Sequence, residues 1–241
     1  MTKTFYCTLD TETVGGCTNP KGFYHIGGKI HDRVGNVVAT FNYIIASLLD
    51  DILTDDYAKK HIDYYSDYTK FGPASAVATE EDAIFIIDSL LKHYNVKVMM
   101  AFNSGFDFGK TKAKALLEGR EFIDLYLMAV QTIGKRKSYE KFCKENKFYS
   151  KNGKSIAGTA ESFYAYITNN PQYEEEHTAF EDAAIELEIF NACIKTHKKF
   201  TRNCIFYDYK NPDKWLSRVE GSGPLPRPGA KIKIRLIEIP S

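Results

Sequence analysis

Thr8-Leu9-Asp10-Thr11-Glu12-Thr13-Val14-Gly15, preceded by Phe5-Tyr6-Cys7 and followed by Gly16, reads as a buried β-strand that runs out into a loop. Residues two apart on a strand share a face, so Asp10 and Glu12 converge where the apolar strand meets solvent. Two ionised carboxylates side by side repel and call for protons or cations. Hard oxygen ligands of this kind suit Mg²⁺ or Mn²⁺.

The rest of the chain bounds what such a strand end can serve. The 241 residues are enough for one sizeable core with a small appendage, and 44% hydrophobic with 26% charged residues is ordinary for a globular protein. No run approaches the roughly 18 apolar residues of a membrane span, and the N-terminus lacks the apolar region of a secretory signal. A cytoplasmic protein without a membrane partner is expected. Cys7, Cys17, Cys143, Cys193 and Cys204 are odd in number and contain no C-x-x-C pair. That argues against a disulfide framework and a structural zinc site, and for idle thiols. The net charge of +1 is unevenly placed: residues 110–154 carry twelve Lys/Arg against five Asp/Glu, and residues 195–241 eleven against four. An acidic centre with two basic segments suits a metal-dependent enzyme acting on a polyanion.

In chain order, residues 23–30 and 37–45 are β-rich runs separated by the turn residues Arg33-Val34-Gly35-Asn36, which with the first strand predict an antiparallel meander. Residues 48–75, rich in Tyr57, Tyr64, Tyr65 and Tyr68, are expected to lie over one sheet face. Thr79 is a natural N-cap for a helix carrying Ile84, Ile87, Leu90 and Leu91 on one side. Val96-Lys97-Val98-Met99-Met100-Ala101-Phe102 reads as a central strand leading into Asn103-Ser104-Gly105-Phe106-Asp107, again a buried strand, a glycine turn and a carboxylate at a helix start. A helix over 107–118 and the apolar stretch 122–127 follow. A meander followed by alternating strands and helices implies a mixed α/β sheet flanked by helices, with functional groups at strand ends.

Residues 134–170 are basic and helical in pieces. In the next landmark, residues 174–187, Thr178 and Glu181 fit a capping box, so a helix should begin near Ala179. His177 then lies in the preceding loop and Asp182 in the early turns. Five residues apart on one helix the two would face directions about 140° apart, whereas a loop histidine is free to swing toward the aspartate. Residues 221–229, rich in Gly and Pro, form a linker by composition. Lys231-Ile232-Lys233-Ile234-Arg235-Leu236 alternates basic and apolar residues, as a strand added to a sheet edge, a docking peptide or an appended segment would.

Asp10-x-Glu12, Asn103-x-x-Phe106-Asp107 and His177-x-x-x-x-Asp182, in this order and local context, together resemble the DEDDh 3′→5′ exonucleases of the DnaQ-like, RNase T-like superfamily. The segment 159–166 is similar to phage and Gram-positive bacterial members. The resemblance covers about residues 4–196. It implies a ribonuclease H-like fold: an exonuclease domain over 1–196, with a C-terminal extension over 197–220 and a linker and tail over 221–241. It implies that Asp10, Glu12, Asp107 and Asp182 hold two Mg²⁺ or Mn²⁺ ions, roughly 3.5–4 Å apart as in two-metal sites. Asp10 would bridge the ions, Glu12 and Asp182 would favour the nucleophile side, and Asp107 would serve the other. His177 would be the general base, a role its near-neutral intrinsic pKa suits. Thr11, Thr13 and Val14 would contact the terminal nucleotide, with Val14 against the last base, and Asn103 and Phe106 would contact sugar-phosphate and base.

The expected activity is hydrolysis of terminal phosphodiesters of single-stranded or frayed DNA to nucleoside 5′-monophosphates. Two other readings share the residues. One is an oligoribonuclease or cyclic-oligonucleotide phosphodiesterase. The other is a catalytically silent nucleic-acid-binding module that recruits a polymerase, the tail over 221–241 being the place for a protein partner.

Overall fold

The computed structural model describes residues 5–14, 22–48, 75–150, 152–196, 203–206 and 235–238. The loop after Val14, nearly all of the tyrosine-rich span and the 221–229 linker lie outside these residues.

Strand β1 (Phe5–Val14) pairs antiparallel with β2 (Gly22–His31), which pairs antiparallel with β3 (Val37–Ile45). The turn between β2 and β3 is held by Asp32, whose Oδ1 accepts from the amides of Val34 and Asn36, each at 3.0 Å. This aspartate-led turn needs a left-handed residue, and Gly35 supplies it at φ +90°. The short β4 (Ala76–Ala78) adds parallel to β3, β5 (Val96–Ala101) parallel to β1, and β6 (Glu121–Asp124) parallel to β5. The six-stranded order is β4-β3-β2-β1-β5-β6, so the expected meander followed by parallel strands is the sheet observed. β1 is central, with antiparallel pairing on one side and parallel pairing on the other.

Helix α1 (Glu80–His93) starts where Thr79 accepts from the Asp82 amide, as its sequence predicts. The helix expected over 107–118 is divided. Helix α2 (Asp107–Lys110) stops at Thr111, which is extended (φ −121°, ψ 167°), and a 3₁₀ segment (Lys112–Leu117) follows. The Thr111 hydroxyl donates to the Asp107 carbonyl and accepts from the Ala113 amide, so a side chain takes the place of the continuing backbone ladder. The apolar stretch 122–127 also divides. Asp124 ends β6 and caps α3 (Leu125–Thr132), accepting from the amides of Tyr126 and Leu127. Helices α4 (Lys137–Glu145) and α5 (Ala160–Thr168) follow, α5 closed by a Thr159–Ser162 capping box. Helix α6 (Ala179–Thr196) packs across β1 and β2. A separate antiparallel pair joins β7 (Asn203–Phe206) and β8 (Arg235–Glu238), so Arg235 and Leu236, the last two residues of the C-terminal alternating segment, pair with Phe206 and Ile205. None of the described helices is long and apolar enough to cross a membrane.

The core lies between the sheet and its helices: Tyr6, Leu9, Ile26, Ile30, Met99, Ile123, Met128, Phe163 and Phe190 are fully buried or nearly so. Each aliphatic or aromatic side chain so buried stabilises the fold by roughly 1.5–3 kcal/mol relative to exposure. Cys7, Cys143 and Cys193 are free and buried, in keeping with idle thiols.

The start of α6 is held to the sheet in two ways. Buried His25 on β2 accepts from the Ala179 amide at Nδ1 (3.2 Å), which leaves Nε2–H to donate to Asn42 Oδ1 (2.7 Å). Burial keeps this imidazole neutral, its pKa lowered to about 4. The capping box expected at Thr178 is absent: the Thr178 hydroxyl is buried without a hydrogen-bond partner, and the histidine from the sheet takes the first helical amide instead. Gly27 permits the close approach, because a Cβ there would lie 2.4 Å from the Phe180 nitrogen and 2.6 Å from the Ala179 carbonyl carbon. Both obstacles are backbone and cannot swing aside. Gly27→Ala should therefore destabilise the protein by about 1–3 kcal/mol in urea unfolding, the usual cost of overpacking. An unchanged midpoint would show that the α6 terminus is not held as described.

Candidate active site

The parallel pairing of β1 with β5 runs from Phe5 to Thr8, so Asp10 and Glu12 project beyond the last rung, opposite the turn that leaves β5. Asn103 in that turn is left-handed (φ 62°). Its amide donates to Asp124 Oδ1 (3.2 Å), its carbonyl accepts from the Phe106 amide (2.8 Å), and its own Oδ1 is buried without a partner. The turn delivers Asp107, 1% exposed, to the end of β1. Asp107 Oδ1 accepts from both the amide (3.1 Å) and the hydroxyl (2.7 Å) of Thr11. Thr11, expected to meet a nucleotide, thus engages a carboxylate through both of its donors.

Asp182 stands in the first turn of α6, 7% exposed, with Oδ1 unpartnered. His177 lies two residues before the helix with φ 54°, a left-handed conformation uncommon for a non-glycine residue. Its side chain is 43% exposed, and its Nδ1 is 3.8 Å from Glu175 Oε2. One ligand atom from each of Glu12, His177 and Asp182 lies within 4.8 Å of the other two. A single cavity of about 410 Å³ is lined by Asp10, Glu12, Asp107, His177 and Asp182 together, and also by Thr11, Asn103 and Phe106. Thr13 and Val14 do not line it. Val14 is 1% exposed and pairs with Gly22, and the register shifts at Glu12/Thr13 just before it.

The same cavity holds two carboxylates that the sequence reading did not single out, Glu175 and Glu186. Glu186 is one helical turn beyond Asp182, so its place on the same face of α6 was readable from the i,i+4 spacing. Glu175 offered no comparable signal within its run of three glutamates. Phe102 and Tyr126 complete an aromatic wall, in edge contact with ring centroids 5.5 Å apart.

Crowded carboxylates in a half-dry cavity resist ionisation. Burial first, and then the Asp107 charge, pushes Asp10 well above the usual carboxylate range; burial, then Asp10, does the same for Glu12. Burial raises Asp107 to about 7 against the pull of Thr11, and burial with Asp10 raises Glu175 to about 7. Asp182 is pushed up to about 11 by burial and then by Asp10, Glu175 and Glu12. Among the described residues, none that lines the cavity is Lys or Arg. Unpartnered carboxylate oxygens, like charges and a nearby imidazole form a donor set that fits Mg²⁺ or Mn²⁺, with Asp10, Glu12, Asp107 and Asp182 as candidate ligands.

These shifts fix a sign for the pH dependence. Carboxylates with raised pKa values bind protons in the folded chain that they would release on unfolding, so stability is greatest at low pH and is lost as pH rises through the folded values. Those are about 7 for Asp107 and Glu175, and about 11 for Asp182. His25 and His31, lowered by burial to about 4, act in the opposite sense, but only up to their ordinary value of 6.5. Between pH 6.5 and about 8.5 the metal-free protein should lose thermal stability, less steeply in Asp182→Asn, and millimolar Mg²⁺ should suppress the loss. A melting temperature that holds or rises across this interval without metal would contradict the arrangement.

No protein-family model and no curated protein sequence matches this chain. Among solved structures it is similar to exonuclease I in complex with the inhibitor BCBP, with 12% identity and a TM-score of 0.52 over 90% of this chain and 46% of that one. It is similar at 14% identity and a TM-score of 0.52 to E. coli exonuclease I bound to a dA16 oligonucleotide, over 89% of this chain and 45% of that one. The same identity and score hold for the E. coli enzyme with a dT13 oligonucleotide, over 89% and 46%. The chain thus spans about half the length of these structures. None of these comparisons bears out the expected leaning toward phage and Gram-positive members. At these identities the likeness is one of fold, and that fold is the ribonuclease H-like fold of exonuclease I: a mixed sheet of antiparallel and then parallel strands, flanked by helices.

Proposed function

We propose that this chain is a divalent-metal-dependent 3′→5′ exonuclease that releases nucleoside 5′-monophosphates from single-stranded or frayed DNA ends. The observation that carries the proposal is the meeting of Asp10, Glu12, Asp107, His177 and Asp182, from three distant segments, around one cavity. It lies at the end of the strand where antiparallel pairing gives way to parallel, the usual place for ligands in open sheets of this kind. The choice of DNA is supported by neighbours of the same fold that carry dA16 and dT13. At about 410 Å³ the cavity falls near the lower end of the ~300–1,000 Å³ range of small-molecule sites, a scale suited to one nucleotide rather than a duplex. In this reading residues 1–196 are the exonuclease domain. Residues 197–220 are an extension and residues 221–241 a basic tail for a protein partner, a reading supported by a neighbour solved as an ExoI/SSB-Ct complex.

The four aspartate and glutamate ligands would hold the cations that their mutual repulsion demands. Divalent ions held there would supply the acidification of a bound water and the neutralisation of charge on the departing 3′-oxygen. His177, in reach of Glu12 and Asp182, accepts the proton of the attacking water at a ring nitrogen. Glu175, 3.8 Å from Nδ1, favours the imidazolium that forms. Thr11 holds Asp107 in place through its paired hydrogen bonds. Phe102, Phe106 and Tyr126 offer aromatic surface for the terminal base, and Asn103 a polar edge.

The test is degradation of 5′-labelled DNA and RNA oligomers of matched sequence with Mg²⁺, Mn²⁺ or chelator. A ladder shortening from the 3′ end is expected on DNA and only with metal. His177→Ala should slow it by about 10²–10⁴-fold and Asp10→Ala should silence it. Preference for RNA would favour an oligoribonuclease with the same residues. Binding without hydrolysis under every metal condition would overturn the enzyme reading in favour of a silent binding module.

A further inference from the structure

Glu186 has no assigned task in the reaction above, yet it is 2% exposed and lines the same cavity as Asp10, Asp107 and Asp182. Its two oxygens have different fates. Oε1 accepts from the Phe102 amide at 2.8 Å, just past the end of β5, which fixes the orientation of the carboxylate. Oε2 is buried and has no hydrogen-bond partner. Removing a carboxylate from water without a counter-charge costs several kcal/mol. Accepting one amide hydrogen bond does not require that charge, since a neutral glutamine accepts as well. The nearby charges make the placement worse: Asp10, Asp107 and Asp182 all push the Glu186 pKa upward, beyond the effect of burial. Among the described residues the cavity lining offers no Lys or Arg to offset it.

We propose that Glu186 is a further metal ligand, its unpartnered Oε2 offered to a divalent cation in the cavity that Asp10, Asp107 and Asp182 also line. The inference rests on the metal site proposed above and extends it. The ligand set on α6 is then two carboxylates one turn apart, Asp182 and Glu186. The hydrogen bond from Phe102 occupies Oε1 of the second and leaves its Oε2 for the cation. Hard, octahedrally coordinated cations favour such oxygen-only sets.

The experiment is a Mn²⁺ titration of the full chain, following free Mn²⁺ by electron paramagnetic resonance, with melting temperatures measured with and without the ion. Wild type is compared with Glu186→Gln, Glu186→Ala and Asp10→Asn. Glutamine keeps the acceptor for the Phe102 amide and removes only the charge. Glu186→Gln should weaken at least one Mn²⁺ site by about 10–100-fold. It should leave the metal-free melting temperature equal to or above that of wild type and shrink the rise produced by Mn²⁺. A residue that merely braces the helix would do the reverse, lowering the metal-free melting temperature and leaving the isotherm alone; that result overturns the proposal. Should the glutamine variant not fold, Glu186→Ala is read in the same way, and a Mn²⁺ isotherm insensitive to substitution at this position overturns it equally. The Asp10→Asn arm separates the two levels. If Asp10→Asn weakens Mn²⁺ binding and the Glu186 variants do not, only this inference fails. If wild type itself binds no Mn²⁺, the metal reading of the whole cavity fails with it.

Discussion

Mutual repulsion among carboxylates at the open end of β1 is the constraint around which this molecule is built. Asp10, Glu12, Asp107, Glu175, Asp182 and Glu186 share one cavity, and among the described residues no Lys or Arg lines it. In water such a group would spread apart. Here the sheet and α6 hold it together; burial first, and for all but Asp107 the other acids of the group as well, makes each of these acids resist ionisation. A fold that holds like charges in place is storing affinity for cations, because their arrival relieves both the repulsion and the loss of hydration.

Holding the acids together requires rigid attachments, and these are polar or steric rather than greasy. Thr11 ties β1 to Asp107 across 96 residues of sequence with two hydrogen bonds to one oxygen. His25 and Asn42 tie β2 and β3 to the first amide of α6, and the missing side chain at Gly27 lets that helix end sit against the sheet. Phe102 ties β5 to Glu186. The apolar core beneath supplies the bulk of the stability, but these contacts determine where each carboxylate stands. His177 differs from its neighbours: it sits in a left-handed loop position with a half-exposed ring. Among the acids around it, Asp10 and Glu12 are partly buried and Asp107, Asp182 and Glu186 are buried.

Much of this was legible from local chemistry. The pattern Phe5 to Gly15 specified a buried strand with Asp10 and Glu12 on one face, and that strand runs on past them to Val14. The runs at 96–102 and 178–187 placed Asp107 and Asp182 at helix starts, and both are there. Other details escaped local reading. A threonine and a glutamate in capping spacing suggested a box at Thr178, but His25, 154 residues from Ala179, holds that amide. Continuous helical propensity over 107–118 gave no hint that Thr111 would turn its hydroxyl onto the Asp107 carbonyl and break the helix. The two hydrogen bonds that Thr11 gives Asp107 likewise depend on a distant oxygen that nothing in its own segment shows.

The sequence by itself determined the antiparallel meander, the strands and helices that follow it in outline, and the strand bearing the first acids. Periodicity, turn chemistry and charge are local properties, and local properties survive in a linear reading. Only the tertiary structure decided that the three segments close on one cavity, that Glu175 and Glu186 join it, and that Val14 turns away into the sheet. Those outcomes depend on strand order, helix approach and hydrogen bonds spanning scores of residues, and no short stretch of the chain contains them.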